Sequence, residues 1–290
     1  MQFSGVHTAL ITPFTSSGTL DLAAYEALAQ RQIQAGVHGL VPCGTTGETP
    51  TLDPDEWEQC ITTAVRVADG RVPVTAGVGT NNTRTTLRLI KRAKSLGVDA
   101  GLMVFPYYNK PNPHGIRAHV EQATAIGLPL VLYHVPGRTG QRLPAAQLAE
   151  LANMSGVVAV KEATGDILYG TDVITATKTP ILSGDDFTFL PLLTAGGRGV
   201  ISVVSNVAPA ATVKIFEDSE QGRMNDARQG LHQLWNVIHF LFADTNPVPC
   251  KAIMSQMGLC EATVRLPLAP LATPVPEAVM ATVARAQASG

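Results

Sequence analysis

The sequence has little charge, few aromatic side chains and few cysteines. Of its 290 residues, 15% are charged and 5% are aromatic, and the formal net charge is −2. No cluster of lysines or arginines interleaves with aromatic residues, so the chain offers no basic surface that would hold a polyanion. We therefore expect no nucleic-acid partner.

Long apolar runs are also missing. No run reaches the roughly 18 residues that a membrane-spanning helix needs, and the first residues, MQFSGVHTALITPF, contain no positively charged leader region. The four cysteines, Cys43, Cys60, Cys250 and Cys260, are widely spaced and lack the paired spacing of a zinc site. We expect no membrane partner, a cytoplasmic location, and reduced cysteines that pack as small core residues.

What the chain has instead is a series of short aliphatic runs, most of them preceded closely by glycine or proline. Eight such runs start at Val6, Gly39, Val72, Gly101, Leu128, Val157, Pro180 and Gly199. Near-continuous apolar runs are typical of strands that are buried on both faces. Because 45% of the chain is hydrophobic and so little of it is charged, we also expect copies of the chain to cover part of its surface.

Segments with helical spacing separate these runs. Asp53, Pro54 and Glu56 supply an N-cap acid, a first-turn proline and a glutamate at the third helical position, which predicts a helix from this point. The alternation predicts an α/β fold, namely a (β/α)8 TIM barrel over residues 1–225 with a C-terminal helical extension over residues 226–290. An open doubly wound sheet is the alternative, and the absence of G-x-G-x-x-G after the first run disfavours it.

The carboxyl ends of the strands are where such barrels place their chemistry. The segments that follow the runs contain residues with hydroxyl groups, turns with accessible backbone groups, and one lysine. His7 stands alone near the start of the first run, and the remaining histidines lack the spacing of metal ligands. We expect no metal and no cofactor.

Lys161 is the lysine that directly ends an apolar run, VVAVK. In one interpretation, its stem packs against the barrel and its head reaches water or pairs with Glu162. In the other, the amine is held in a desolvated barrel mouth, where the charged form is disfavoured and the neutral amine attacks a carbonyl. The sequence pattern alone leaves both interpretations open.

Hydroxyl groups and a glycine-rich turn lie at the ends of other runs. Tyr133 ends the fifth run, and Tyr108 and Thr45 follow the fourth and the second, so these side chains are candidates for proton transfer. The turn Gly44–Gly47 can bring backbone N–H groups close to an anion. Ordinary alternatives are amphipathic packing for the tyrosines and a plain βα loop for the turn.

Taken together, these segments resemble the dihydrodipicolinate synthase family. The matching motifs, in chain order, are GTTGE (44–48), PYYNKP (106–111), YHVPGRT (133–139), VKEATGD (160–166), SGDD (183–186), GVISVVSN (199–206), NPVPCK (246–251) and RLPLAP (265–270). The resemblance runs through nearly the whole chain. It implies a pyruvate-dependent, class I aldolase-type lyase that condenses pyruvate with L-aspartate 4-semialdehyde in lysine and diaminopimelate biosynthesis, as a homotetramer built from two dimers.

The resemblance also assigns roles to individual residues. It implies that Lys161 forms the imine with pyruvate and that Thr45 and Tyr133 relay protons, with Tyr108 reaching in from the neighbouring subunit. It further implies that Thr46 and the adjacent backbone hold the pyruvate carboxylate. Residues Gly184 and Ile201, from the SGDD and GVISVVSN motifs, are expected to bind substrate as well.

Arg138 separates this interpretation from related ones. A guanidinium fork suits the second carboxylate, which the semialdehyde provides. Lyases and aldolases for sugar acids, of the N-acetylneuraminate and 2-keto-3-deoxygluconate type, resemble the chain in the lysine and tyrosine but commonly lack this arginine. The alternatives are such a sugar-acid aldolase, or a non-catalytic relative that binds a keto acid.

Four positions depart from the family pattern. His134 stands where the family usually has asparagine, and Phe105 where a threonine is common. Thr85 and Trp57 stand where feedback-regulated relatives have a glutamate and a histidine that bind lysine. We expect weak or absent inhibition by lysine, since a carboxylate that would pair with an ammonium is missing.

Overall fold

A computed structural model describes residues 3–288 of the chain. Each of the eight apolar runs overlaps a strand: β1 Gly5–Ala9, β2 Gly39–Val41, β3 Thr75–Gly77, β4 Ala100–Val104, β5 Leu130–His134, β6 Val157–Glu162, β7 Ile181–Ser183 and β8 Gly199–Ser202. The prediction of eight strands is confirmed.

Helices follow the strands in alternation and then continue beyond the last one. They are α1 Leu22–Gln34, α2 Pro54–Ala68, α3 Thr83–Ser95, α4 Pro113–Thr124, α5 Pro136–Thr139, α6 Ala145–Ala152, α7 Ile167–Ala176, α8 Phe189–Thr194, α9 Pro209–Glu220, α10 Met224–Leu241, α11 Val248–Gln256 and α12 Glu277–Ala288. Short 3-10 turns lie at Thr45–Gly47, Thr49–Thr51 and Val204–Asn206.

All neighbouring strands are parallel, in the order β2-β1-β8-β7-β6-β5-β4-β3. A parallel bridge between Leu40 and Val74 joins β2 to β3 and closes the ring. The fold is therefore the predicted TIM barrel, and the carboxyl ends of its strands meet at one mouth.

Two apolar cores explain why the strands read as continuous apolar runs. Side chains alternate along a strand, so one set points into the barrel and the other against the helices. On β5, Val131 and Tyr133 belong to the inner core, whereas Leu130 and Leu132 belong to the outer core. Both faces of each strand are thus buried.

The helix predicted after Asp53 is α2, and its start has the expected cap. The Asp53 side chain accepts from the backbone of Glu56, and the Glu56 carboxylate accepts from the Asp53 N–H at 3.0 Å. This reciprocal capping box satisfies backbone donors that would otherwise lack partners. Trp57, Ile61 and Ala64 then form the buried face of the helix.

Helices α10, α11 and α12 form the segment after the barrel, and α10 packs against both α9 and α12. The proposed division into residues 1–225 and 226–290 falls just inside the first turn of α10; that division stays a prediction. In the described part of the chain, none of the helices combines the length and apolarity needed to cross a bilayer.

Candidate active site

Lys161 lies on β6 at the mouth of the barrel and points inward. Its neighbours on the same face of the strand, Ala159 and Ala163, belong to the inner core, and alternation places Lys161 between them. The residue is only 5% exposed. Its Nζ lies 4.3 Å from the ring centroid of Tyr133, and the two residues are register partners on β5 and β6. The barrel therefore shields this amine from bulk water and places it against a tyrosine ring.

Glu162 points to the opposite face of β6, so the pairing of Lys161 with Glu162 that the sequence left open is not what the structure shows. The Glu162 Oε1 accepts from the backbone N–H of Thr164 at 2.7 Å, and its Oε2 is buried without a hydrogen-bond partner among residues 3–288. Burial raises the pKa of Glu162 to about 7. Its register partner on β5 is His134, which is also fully buried and whose pKa burial lowers to about 4.

Gly184, the residue directly after β7, and Ile201, on β8, both face the barrel interior. A side-chain carbon added at Gly184 would lie 3.0 Å from Cε of Lys161 and 2.6 Å from Cβ of Ala163. Only glycine leaves room there for the lysine side chain. Ile201 is buried in the inner core on β8. The structure thus brings both predicted residues to the barrel interior with Lys161.

The turn after β2 is wound tightly. Thr45–Gly47 forms a 3-10 turn, and Glu48, which closes it, has a left-handed backbone with φ +54°. The hydroxyl of Thr12 donates to the carbonyl of Gly47 at 2.8 Å. Within this turn Thr46 is buried, whereas Thr45 is partly exposed and lines the neighbouring cavity. Thr46 is therefore enclosed by protein, whereas Thr45 is accessible from the cavity.

A cavity of about 710 Å³ opens beside this turn, and Thr45, Tyr133 and Arg138 are among its lining residues. Lys161 does not line this cavity itself, but its amine contacts the ring of Tyr133, which does. Strands β3, β4 and β5 and the short helix α5 all contribute lining residues, and the pocket is large enough for small substrates. Trp57 also lines the cavity, and its indole N–H donates to the carbonyl of Gly77 at 3.1 Å. The weak or absent inhibition by lysine that Thr85 and Trp57 led us to expect stays a prediction.

Tyr108 lies outside this group in its own chain. Its side chain is 88% exposed, and its φ is +71°. The N–H of Asn109 donates to the carbonyl of Tyr107 at 2.9 Å, which makes Tyr108 the centre of a classic γ-turn, a rare and strained conformation. The Asn109 side chain fixes the loop by donating to the carbonyl of Asn81 at 2.8 Å. The loop therefore holds an unburied phenol away from the chain's own barrel.

Residues of the C-terminal segment contact the site, and sequence reasoning did not find them. Asn246 donates from Nδ2 to the hydroxyl of Thr46 at 2.8 Å. Lys251 is fully buried and forms an ion pair of 2.5 Å with Glu48. The signal that could have found Lys251 is the one used for Lys161, a lysine set in the apolar run PVPCKAIM.

Comparisons with known proteins agree over almost the whole chain. A family model described as the Dihydrodipicolinate synthetase family matches residues 2–286. The 4-hydroxy-tetrahydrodipicolinate synthase of Methanoculleus marisnigri is 44% identical over 272 residues, which cover 92% of this chain and 94% of that protein. The crystal structure of dihydrodipicolinate synthase from Thermotoga maritima is 39% identical with a TM-score of 0.92, covering 100% of this chain and 99% of that one. The chloride-inhibited dihydrodipicolinate synthase from Acinetobacter baumannii, crystallised with pyruvate, is 38% identical with a TM-score of 0.90 and covers 98% of both chains.

Proposed function

The chain belongs to the dihydrodipicolinate synthetase family, and is therefore a lyase-type, pyruvate-dependent enzyme; we propose that it condenses pyruvate with L-aspartate 4-semialdehyde through a Schiff base on Lys161. The observation that carries this proposal is the buried Lys161 amine against the Tyr133 ring at the barrel mouth. A lysine held out of water in this way suits attack on a carbonyl carbon.

The chemistry begins with the amine of Lys161 adding to the carbonyl carbon of pyruvate. Loss of water gives the imine, and loss of a proton from the adjacent methyl group gives an enamine. The enamine carbon then attacks the aldehyde of the semialdehyde, forming the new carbon–carbon bond. The amine of the semialdehyde attacks the imine carbon, closes the ring and releases Lys161.

Protons must enter and leave at each of these steps. Tyr133 is adjacent to the Lys161 amine, and Thr45 lines the same cavity as Tyr133, so both hydroxyls are available as relays. Tyr108 completes the relay from the neighbouring subunit in this proposal. Its exposure and its strained turn support that role, because a phenol held away from its own barrel is free to enter another.

Two carboxylates have to be held while this happens. The Gly44–Gly47 turn with Thr46 grips the carboxylate of pyruvate through backbone N–H groups, and Gly184 and Ile201 border the carbon chain next to Lys161. Arg138 projects from α5 at the cavity and takes the carboxylate of the semialdehyde. In this proposal each substrate carboxylate therefore has its own binding group.

We further propose a cytoplasmic homotetramer, built as a dimer of dimers, that serves lysine and diaminopimelate biosynthesis. The low charged fraction of the chain supports a surface covered by other copies, and the exposed Tyr108 supports a dimer in which two chains complete each site.

The proposal is tested by treating the protein with pyruvate and borohydride, followed by mass spectrometry and peptide mapping. We expect one reduced pyruvate adduct per chain, on the peptide that contains Lys161. Steady-state assays then compare L-aspartate 4-semialdehyde with sugar-acid substrates. Turnover of the sugar acids in preference to the semialdehyde would replace this proposal by a sugar-acid aldolase, and absence of any adduct would leave a keto-acid-binding protein.

A further inference from the structure

A buried ion pair joins the C-terminal segment to the turn after β2. Lys251 on α11 and Glu48 at the end of the turn are both fully buried, and Nζ lies 2.5 Å from Oε1. Nζ also donates to the carbonyl of Thr263 at 2.8 Å and lies 4.1 Å from the ring centroid of Phe14. The Lys251 ammonium therefore exchanges its water shell for a fixed set of protein groups.

The second carboxylate oxygen of Glu48 also contacts the C-terminal segment. Its Oε2 accepts from the backbone N–H of Arg265 at 3.0 Å, and the Arg265 guanidinium in turn donates to both oxygens of Glu56 at 2.5 and 2.6 Å. A buried carboxylate with both oxygens engaged has little freedom to move. The position of Glu48 is thus set by residues more than 200 positions further along the chain.

Glu48 transmits this constraint to the substrate turn. Its left-handed backbone ends the 3-10 turn, and its N–H donates to the carbonyl of Thr45 at 3.0 Å. A non-glycine residue holds this conformation only where its surroundings fix it. Fixing the Glu48 side chain from the C-terminal segment therefore fixes the N–H groups of the turn immediately before it.

Asn246 makes a second connection between the same two parts of the chain. Its Nδ2 donates to the hydroxyl of Thr46 at 2.8 Å, and its carbonyl accepts from the Arg138 guanidinium at 3.5 Å. Its Oδ1 is buried and has no hydrogen-bond partner in the part of the chain that the structure describes. One residue thus touches both side chains that the proposed function assigns to the two substrate carboxylates.

We propose that Lys251, acting through Glu48 and supported by Asn246, is a positioning residue that sets the Gly44–Gly47 turn for binding the carboxylate of pyruvate. This inference rests on the proposed function, because it assigns the turn to pyruvate. Lys251 does not touch the substrate; it acts by holding the backbone that does.

The test measures how the yield of borohydride-trapped adduct depends on pyruvate concentration. In Lys251→Met, which keeps most of the side-chain length but removes the charge, we expect the half-saturating pyruvate concentration to rise roughly tenfold or more, since small displacements of binding groups are costly. Asn246→Ala, which leaves the ion pair intact, should raise it as well. The matched control is Arg66→Met, which removes the cation of the exposed Arg66–Glu26 pair and should leave half-saturation unchanged.

Circular dichroism melting separates positioning from a general loss of stability. Lys251→Met leaves Glu48 buried without its cation and should melt earlier, whereas the double variant Glu48→Gln, Lys251→Met removes that unpaired charge and should recover most of the melting temperature. If Lys251 is a positioning residue, the double variant should fold and should still show the raised half-saturating pyruvate concentration. If the folded double variant and Asn246→Ala both trap pyruvate at the wild-type half-saturation, the inference is wrong. If the wild-type protein forms no adduct at all, it is the proposed function that fails.

Discussion

The amine of Lys161 lies 4.3 Å from the ring centroid of Tyr133, and the two residues are register partners on hydrogen-bonded strands. Because the strands are locked together by their backbone ladder, the proposed nucleophile and the proposed proton donor keep one relative position. Rigid strands hold such geometry better than loops do.

Replacing Lys161 by alanine removes the only group proposed to form the imine. We expect Lys161→Ala to give no reduced adduct with pyruvate and borohydride, and to lose turnover. Intact-mass spectrometry checks the first and a steady-state assay the second. Lys178→Ala, at an exposed lysine, is the control and should form the adduct normally. A covalent adduct on Lys161→Ala would assign the chemistry to another amine.

Replacing Thr45 by valine keeps the shape of the side chain and removes its hydroxyl. If Thr45 relays protons, turnover should fall by roughly 10²–10⁴-fold, while trapping of pyruvate at Lys161 continues on a slower timescale. Comparison of single-turnover trapping with steady-state turnover measures this. Thr175→Val, at an exposed hydroxyl of α7, should leave both rates alone, and equal rates in Thr45→Val and wild type would remove Thr45 from the mechanism.

Tyr108 can be tested by mixing two inactive variants. In a mixed dimer of Lys161→Ala and Tyr108→Phe, the Tyr108→Phe chain supplies Lys161 and its partner supplies Tyr108. Random pairing makes half of the dimers mixed with one complete site each, so activity should recover to about a quarter of wild type per chain. The measurement is turnover after co-refolding of equal amounts.

The control for this mixture pairs Lys161→Ala with Tyr133→Phe. Tyr133 and Lys161 belong to the same barrel, so no mixed dimer contains a complete site, and we expect no recovery. Recovery in this control, or its absence in the Tyr108 mixture, would contradict a shared site.

Much of the barrel was predictable because its signals are local. Continuous apolar runs marked all eight strands, and the Asp53 to Glu56 cap marked the start of α2. The inward direction of Lys161 also follows from local alternation, since the residues two positions before and after it are alanines of the inner core. The same alternation sends Glu162 outward.

The remaining features depend on residues far apart in the chain. Nothing near Glu48 in the sequence indicates that its partner is Lys251, and nothing near Thr46 indicates Asn246. Such pairs form only when the end of the chain packs against the barrel mouth. The role of Tyr108 is harder still to predict from one sequence, because its proposed site is in another copy of the chain.

Removing the guanidinium of Arg138 should affect one substrate more than the other. Charge-assisted hydrogen bonds contribute about 1.5–3 kcal/mol each, so we expect Arg138→Ala to lower kcat/KM for the semialdehyde roughly 10²-fold or more. The half-saturating pyruvate concentration for adduct trapping should change far less. Arg138→Lys keeps the charge but not the guanidinium fork, so its kcat/KM for the semialdehyde should lie between the values of wild type and Arg138→Ala. An equal effect on both substrates would assign Arg138 to general folding of the mouth.

Glu162 predicts a pH-dependent change in stability. Its folded pKa of about 7 lies above the ordinary value of 4.5 because the carboxyl is buried. Between these pH values the folded state holds a proton that the unfolded state has lost, so stability falls as pH rises from about 4.5 to about 7. Glu162→Gln removes this loss and should be more stable than wild type at pH 8, by about 3 kcal/mol, but not at pH 4.5.

Denaturant unfolding at the two pH values measures this difference. His134 adds its own dependence, because its pKa is lowered to about 4, but wild type and variant share it and it cancels in the comparison. Glu220→Gln, at an exposed carboxyl, should change stability equally little at both pH values. A gain for Glu162→Gln that is the same at pH 4.5 and pH 8 would show that its charge is not responsible.

The contact of Asn246 with Thr46 spans 200 positions of the chain. A nascent polypeptide grows from its N-terminus, so the strands and helices that precede β8 leave the ribosome well before Asn246 does. During that interval Thr46 lacks its hydrogen bond from the Asn246 side chain, and Glu48 lacks its ion pair with Lys251. The contacts that hold the proposed carboxylate-binding turn are therefore the last to become possible during synthesis, after every strand of the barrel has left the ribosome.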